Sequence, residues 1–170
     1  GANLFLANVK SAMSTNYFGS DQPLLHFWSL AVEEQFYFIM PSLLLLIHKY
    51  FKKYLILILV LLLIGSLALS QYMSMVPQYA QVSYFLLPSR AWELLAGCLL
   101  AVIKPNIRDK IATVFSLLGL GLITIGAVVI NEHSVFPGII TLLPVVGSLF
   151  IILGRESGFG KILRTKPFVI

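Results

Sequence analysis

Five runs of mostly apolar residues, 27–47, 54–71, 84–103, 112–130 and 138–154, dominate the chain. About 20 such residues are what an α-helix needs to cross the hydrocarbon of a bilayer. Each run is apolar on most sides, which a surface helix of a soluble domain is not. Only 11% of the 170 residues are charged and 58% are hydrophobic, whereas globular chains carry roughly 25% charge. The runs therefore predict an all-α, polytopic transmembrane helix bundle of about five spans, with the lipid bilayer as its first partner.

Loop charge orients that bundle, because cytoplasmic loops near span ends carry an excess of Lys and Arg. Lys49, Lys52 and Lys53 fall in one loop, Lys104, Arg108 and Lys110 in another, and Arg155, Lys161, Arg164 and Lys166 in the tail, which makes ten of the twelve basic residues. The opposite loops hold only Lys10. This alternation predicts an integral membrane protein with residues 1–26 outside and the C-terminal tail in the cytoplasm. The chain opens at Gly1 with no Met, basic n-region or cleavage site, so residues 1–170 are expected to be an internal fragment of one transmembrane domain. The net charge of +5 does not gather into a stripe interleaved with aromatics, which argues against nucleic acid as a partner. Cys98 is the single cysteine and reads as a buried thiol.

Proline and glycine mark the joints at Pro23, Pro77, Pro105 and Pro137-Gly138. Pro41, Pro88 and Pro144 lie inside runs instead, where each frees a backbone carbonyl and favours a kink. Gly119, Gly121 and Gly126 suit close helix approach.

Of the seven acidic residues, Glu33, Glu34 and Glu93 fall within spans, as does Arg90. A carboxylate at bilayer depth costs several kcal/mol unless it has a partner, a proton or water, so these four are functional candidates. At about 1.5 Å per residue they lie at similar depths, roughly 9–14 Å from the outer ends of their helices. His26, Ser29, Glu33 and Tyr37 follow steps of three and four and share one helix face, while Glu34 projects about 100° away. Arg90, Glu93 and Gly97 likewise share a face, so Arg90 is placed to pair with Glu93 or to reach Glu33 or Glu34. Three acids against one base leave a carboxyl that is protonated, wet or paired elsewhere, and such a group can move a proton or bind a substrate hydroxyl. A buried ion-pair network that only orients helices is the plain alternative. Trp28, Tyr37 and Trp92 are candidates for stacking on a sugar, although interfacial anchoring accounts for Trp28. His48 and His133 sit at span ends and read as interfacial.

HExxH, P-loop and GxSxG motifs and Cys/His clusters are all absent, so metal and NTP chemistry are not expected. An Asp five residues after a His, as in the glycerolipid acyltransferases, also fails, since Ala31, Lys53 and Gly138 stand there. The segment His26-Phe27-Trp28-Ser29-Leu30-Ala31-Val32-Glu33-Glu34-Gln35-Phe36-Tyr37, with Pro41 beyond, resembles the H-x-W-S-L-x-V-E-E-Q-F-Y signature of the membrane acyltransferase-3 family. Pro88-Ser89-Arg90-Ala91-Trp92-Glu93-Leu94-Leu95-Ala96-Gly97, Phe136-Pro137-Gly138 and Leu142-Leu143-Pro144-Val145-Val146-Gly147 look like further landmarks of that family, in its order.

The resemblance implies an integral membrane O-acyltransferase of the bacterial inner membrane. It would move an acyl group, often acetyl, from acyl-CoA to a hydroxyl of a glycan or lipid-linked acceptor, with acyl-CoA as cosubstrate and no bound cofactor. The family's early helix with a His and a basic motif has no counterpart here. On this reading Glu33 and Glu34 position substrate or relay a proton, His26 contacts the acceptor, and Arg90 stabilises charge on the acyl oxygen with Glu93 fixing its rotamer. Ser29, Tyr37 and Trp92 line the substrate. The identity of the base is left open. The alternative function is a proton-coupled carrier whose path is lined by the same Glu and Arg side chains.

Overall fold

The computed structural model describes residues 27–105, 107–130 and 138–154. Every regular element among them is helical, as the apolar runs require: α1 Phe27–Phe51, α2 Leu55–Met75, α3 Pro77–Phe85, α4 Leu87–Ile103, α5 Asp109–Val129 and α6 Leu142–Leu153. Short 3-10 turns at Lys52–Tyr54 and Ile139–Thr141 lead into α2 and α6. The described residues form two compact units that divide within α4, after Leu95: the first holds α1 to α3 and the start of α4, the second holds α5 and α6.

Two helical stretches are long and apolar enough to cross a membrane, Ser29–Met75 and Asp109–Val129, fewer than the five expected spans. The first contains α1 and α2 joined by the turn at Lys52–Tyr54. Its 47 residues would reach about 70 Å at 1.5 Å each, more than twice the ~30 Å of hydrocarbon. The end of α1 beside the turn has interfacial chemistry, with Lys49 Nζ 5.2 Å above the Tyr50 ring. Apolar side chains on these helices face outward, Val128 at 83% exposure and Phe38 at 74%, which suits hydrocarbon surroundings and not the core helix of a soluble domain.

Proline explains the shorter helices. The expected span 84–103 is interrupted at Leu86, whose ψ of 139° is extended, so that Pro88 falls in the first turn of α4, where its missing N–H costs nothing. Val76 is extended in the same way before Pro77, and the residues between the two breaks fold into α3, a helix that the hydropathy pattern did not predict. Pro144 is also a first-turn residue, of α6. Among the described residues only Pro41 occupies a helix interior, where it removes the bond that would run to the Tyr37 carbonyl.

Serines tie the first unit together. Trp92 N–H donates to Ser66 Oγ at 3.0 Å, and Ser66 Oγ donates to the Pro88 carbonyl at 2.6 Å. Those two backbone groups are the donor and acceptor of one α-helical rung, so one hydroxyl of α2 serves both ends of a rung in α4. Ser74 and Ser83 hydroxyls lie 3.3 Å apart between α2 and α3. The buried Ser89 hydroxyl of α4 is within bonding distance of the Ser83 and Leu86 carbonyls. Short hydroxyl side chains of this kind let membrane helices approach and bond.

In the second unit, α5 and α6 meet backbone to backbone. A Cβ at Gly119 would lie 2.5 Å from the Gly147 carbonyl oxygen, and a Cβ at Gly147 would lie 2.8 Å from that of Gly119. A Cβ at Gly154 would strike the Ser116 side chain, and the Phe115 and Phe150 rings meet at a tilt of 58° with centroids 5.0 Å apart. Gly147→Ala is expected to destabilise the folded protein by about 1–3 kcal/mol in thermal unfolding in detergent, as overpacking does. Gly121→Ala, at a site with nothing within 4 Å, should be neutral or gain up to about 1 kcal/mol from helix propensity.

Candidate functional site

Helix α1 presents Ser29, Val32 and Glu33 and helix α4 presents Arg90, Glu93 and Leu94 around one small cavity of about 90 Å³. The spacing of three and four on each helix puts these side chains on one face. Arg90 Nη2 donates to both Glu93 oxygens, at 3.0 Å to Oε2 and 3.3 Å to Oε1. Both side chains are about four-fifths buried, at 18% and 21% exposure, so the pair is shielded more than a surface ion pair. Glu33 stands on the facing wall and, among the described residues, makes no ion pair.

The cavity therefore combines a cation already held in place, one carboxylate committed to that cation, one carboxylate outside the pair, and a hydroxyl. Such a set can accept a proton from a bound hydroxyl, and it can donate N–H bonds to an oxygen that gains charge. An apolar cavity of about 150 Å³ takes benzene, so by proportion 90 Å³ takes on the order of three or four heavy atoms.

Four of the residues expected from sequence thus come together: Ser29, Glu33, Arg90 and Glu93. Glu34 is exposed and lies off the cavity, as its position about 100° around α1 requires. Tyr37 shares the helical spacing but lies off the cavity too, at 63% exposure, with its ring edge-on to Phe36 at 6.2 Å. Trp92, expected as a stacking platform, is a core side chain at 1% exposure, and its Nε1 has no hydrogen-bond partner among the described residues. Its backbone is held against α2 by Ser66. His26 lies outside the described residues. Sequence reasoning missed Ser66, which fixes α4 against α2; its only signal was the Gly65-Ser66 pair in an otherwise apolar run.

Residues 1–164 match the acyltransferase domain of the acyltransferase-3 family. The chain belongs to that family. An uncharacterised protein of Haemophilus influenzae is 30% identical over 162 residues, covering 87% of this chain and 66% of that protein. The O-acetyltransferase OatA of Staphylococcus aureus is 30% identical over 164 residues, 88% of this chain and 27% of its own length. The peptidoglycan O-acetyltransferase OatA of Listeria monocytogenes is 37% identical over 90 residues, 52% of this chain and 14% of its own. The chain thus spans about two thirds of the first relative and about a quarter of the second. No solved structure matches it. All four clustered residues of this acyltransferase-3 chain lie within the matched region.

The pairing of Arg90 with Glu93 makes a thermodynamic prediction. In a double-mutant cycle of Arg90→Ala and Glu93→Ala, read by thermal unfolding of the protein in detergent, the coupling should be about 0.5–3 kcal/mol. The same cycle between Arg90→Ala and Glu34→Ala should give a coupling near zero.

Proposed function

We propose that this domain transfers an acyl group, acetyl foremost, from acyl-CoA to a hydroxyl of a glycan or lipid-linked acceptor at the cavity between α1 and α4. The observation that carries this reading is the shared cavity of Ser29, Glu33, Arg90 and Glu93 in a chain of the acyltransferase-3 family. The names of two relatives, O-acetyltransferase and peptidoglycan O-acetyltransferase, support acetyl as the group and a glycan as the acceptor. A cavity of about 90 Å³ suits an acyl group the size of acetyl.

In this mechanism the acceptor oxygen attacks the thioester carbonyl carbon. Glu33 takes the hydroxyl proton as the new C–O bond forms. Arg90, oriented by Glu93, donates N–H bonds to the carbonyl oxygen as it gains negative charge. The C–S bond then breaks, the sulfur leaves with the proton as CoA thiol, and Glu33 returns to the carboxylate. Ser29 holds the acceptor by a hydrogen bond. On this proposal the domain lies in a bacterial inner membrane with residues 1–26 outside and the tail in the cytoplasm, a reading supported by Lys49, Lys52 and Lys53 together with the basic residues of the other loops on that side.

The test is mass spectrometry of surface glycans from cells carrying the full-length parent at matched membrane levels. Glu33→Gln should reduce the acyl mass increment by about 10²-fold or more, and Arg90→Ala by about 10²–10³-fold. Glu34→Gln, off the cavity, should stay within about tenfold of wild type, a change of about 1.4 kcal/mol. Full acylation in both Glu33→Gln and Arg90→Ala would remove these residues from the chemistry.

A further inference from the structure

Arg90 and Glu93 share one helix, yet what they can do depends on how that helix is turned toward Ser29 and Glu33 of α1. The cavity takes in a single face of α4, and at about 100° per residue a turn of α4 by one residue would carry Arg90 off it. Something outside the cavity has to hold that rotation.

Two serines touch α4 away from the cavity. Ser89 lies in its first turn and bonds the Ser83 and Leu86 carbonyls, which fixes where the helix begins. Ser66 comes from α2, and its hydroxyl accepts from the Trp92 N–H at 3.0 Å and donates to the Pro88 carbonyl at 2.6 Å. A serine hydroxyl has one proton to give and lone pairs to accept, so both bonds form at once. Its oxygen sits a single carbon from the backbone, an arm too short to follow α4 through a rotation. Arg90 stands midway between Pro88 and Trp92 in the chain and projects from the far side of the helix, about 200° from Pro88.

The grip is separable from helix formation. The Pro88 carbonyl and the Trp92 N–H are the natural α-helical partners of one another, so loss of the Ser66 hydroxyl orphans neither group. The helix survives and only its constraint on rotation goes. We propose that Ser66 is a positioning residue of the polar cavity: its two bonds set the rotation of α4 that holds the Arg90–Glu93 pair opposite Ser29 and Glu33. Ser66 does not line that cavity and acts through Arg90. The consequence for acyl transfer rests on the function proposed above, whereas the placement of the pair does not.

Thr and Val have nearly the same shape and differ in the hydroxyl, so Ser66→Thr against Ser66→Val isolates the two bonds. The added carbon has room, since Ser66 borders an apolar cavity of about 350 Å³. In the full-length parent in native membranes, Ser29→Cys and Leu94→Cys put thiols on the facing walls of the polar cavity. A short bifunctional thiol reagent bridges them, and mass spectrometry quantifies the joined peptides. Bridging should stay within about twofold of the Ser66 background in Ser66→Thr and fall about tenfold in Ser66→Val, the population shift expected from two hydrogen bonds of ordinary net strength. Without the two cysteines, glycan acylation should fall about 10²-fold in Ser66→Val, as a misplacement of about 1 Å costs, and be retained in Ser66→Thr. Ser66→Ala takes the place of Ser66→Val, with the same expectations, should the latter miss matched membrane levels. Equal bridging with and without the hydroxyl would overturn the placement. Full acylation in Ser66→Val beside its loss in Arg90→Ala would overturn the role of Ser66 in the reaction, whereas full acylation in Arg90→Ala would strike the reaction itself and leave bridging to decide for Ser66.

Discussion

The Ser66 hydroxyl, bonded to the Pro88 carbonyl and the Trp92 N–H, sets the arrangement of the first unit. In hydrocarbon there is no water to satisfy a stray backbone group. A side chain that serves both ends of one rung therefore holds α4 to α2 in one rotation. At 100° per residue, Arg90 and Glu93 come roughly 140–200° around from Pro88, on the opposite side of α4. Ser66 thus grips one side of the helix, and the ion pair emerges from the other. An apolar cavity lined by Pro88, Ala91 and Leu95 falls on the gripped side of α4 and the polar cavity on the far one.

The sequence was most informative where helical spacing and charge coincided. Ser29 and Glu33, like Arg90 and Glu93, were legible because three- and four-residue steps fix a common face whatever the tertiary packing. Tyr37 obeys the same step and still lies off the cavity, because shared face says nothing of how far along the helix a cavity extends. Trp92 was misjudged on residue type: the aromatic ring that suits a sugar equally suits a core, and its 1% exposure shows which applies. Glu34 differs from Glu33 by a single residue, which for a helix is about 100°, more than a quarter turn.

Helix limits were legible to a few residues wherever a basic loop or a Gly ended a run, as at the Lys52–Tyr54 turn. They were not legible at Pro88. A proline in an apolar run is consistent with a kink or with a fresh start, and the choice depends on where the freed carbonyls find donors. Here the serines decide it: Ser89 reaches the Ser83 and Leu86 carbonyls across the break, so the chain closes α3 and begins α4 without leaving the gap unbonded. The short α3 follows from that choice and has no hydropathy signal of its own.

The glycine contact between α5 and α6 has a separate bearing on motion. With Gly119 against the Gly147 carbonyl, and the Ile151 and Ile123 side chains lying immediately beside those glycines, the two helices have no volume to spare at this crossing. Sliding one past the other by a turn would bring a branched side chain onto bare backbone and force the axes apart. The hairpin therefore has a single register and moves as one lever, so displacement at one end of α6 is transmitted to α5 without being absorbed between them.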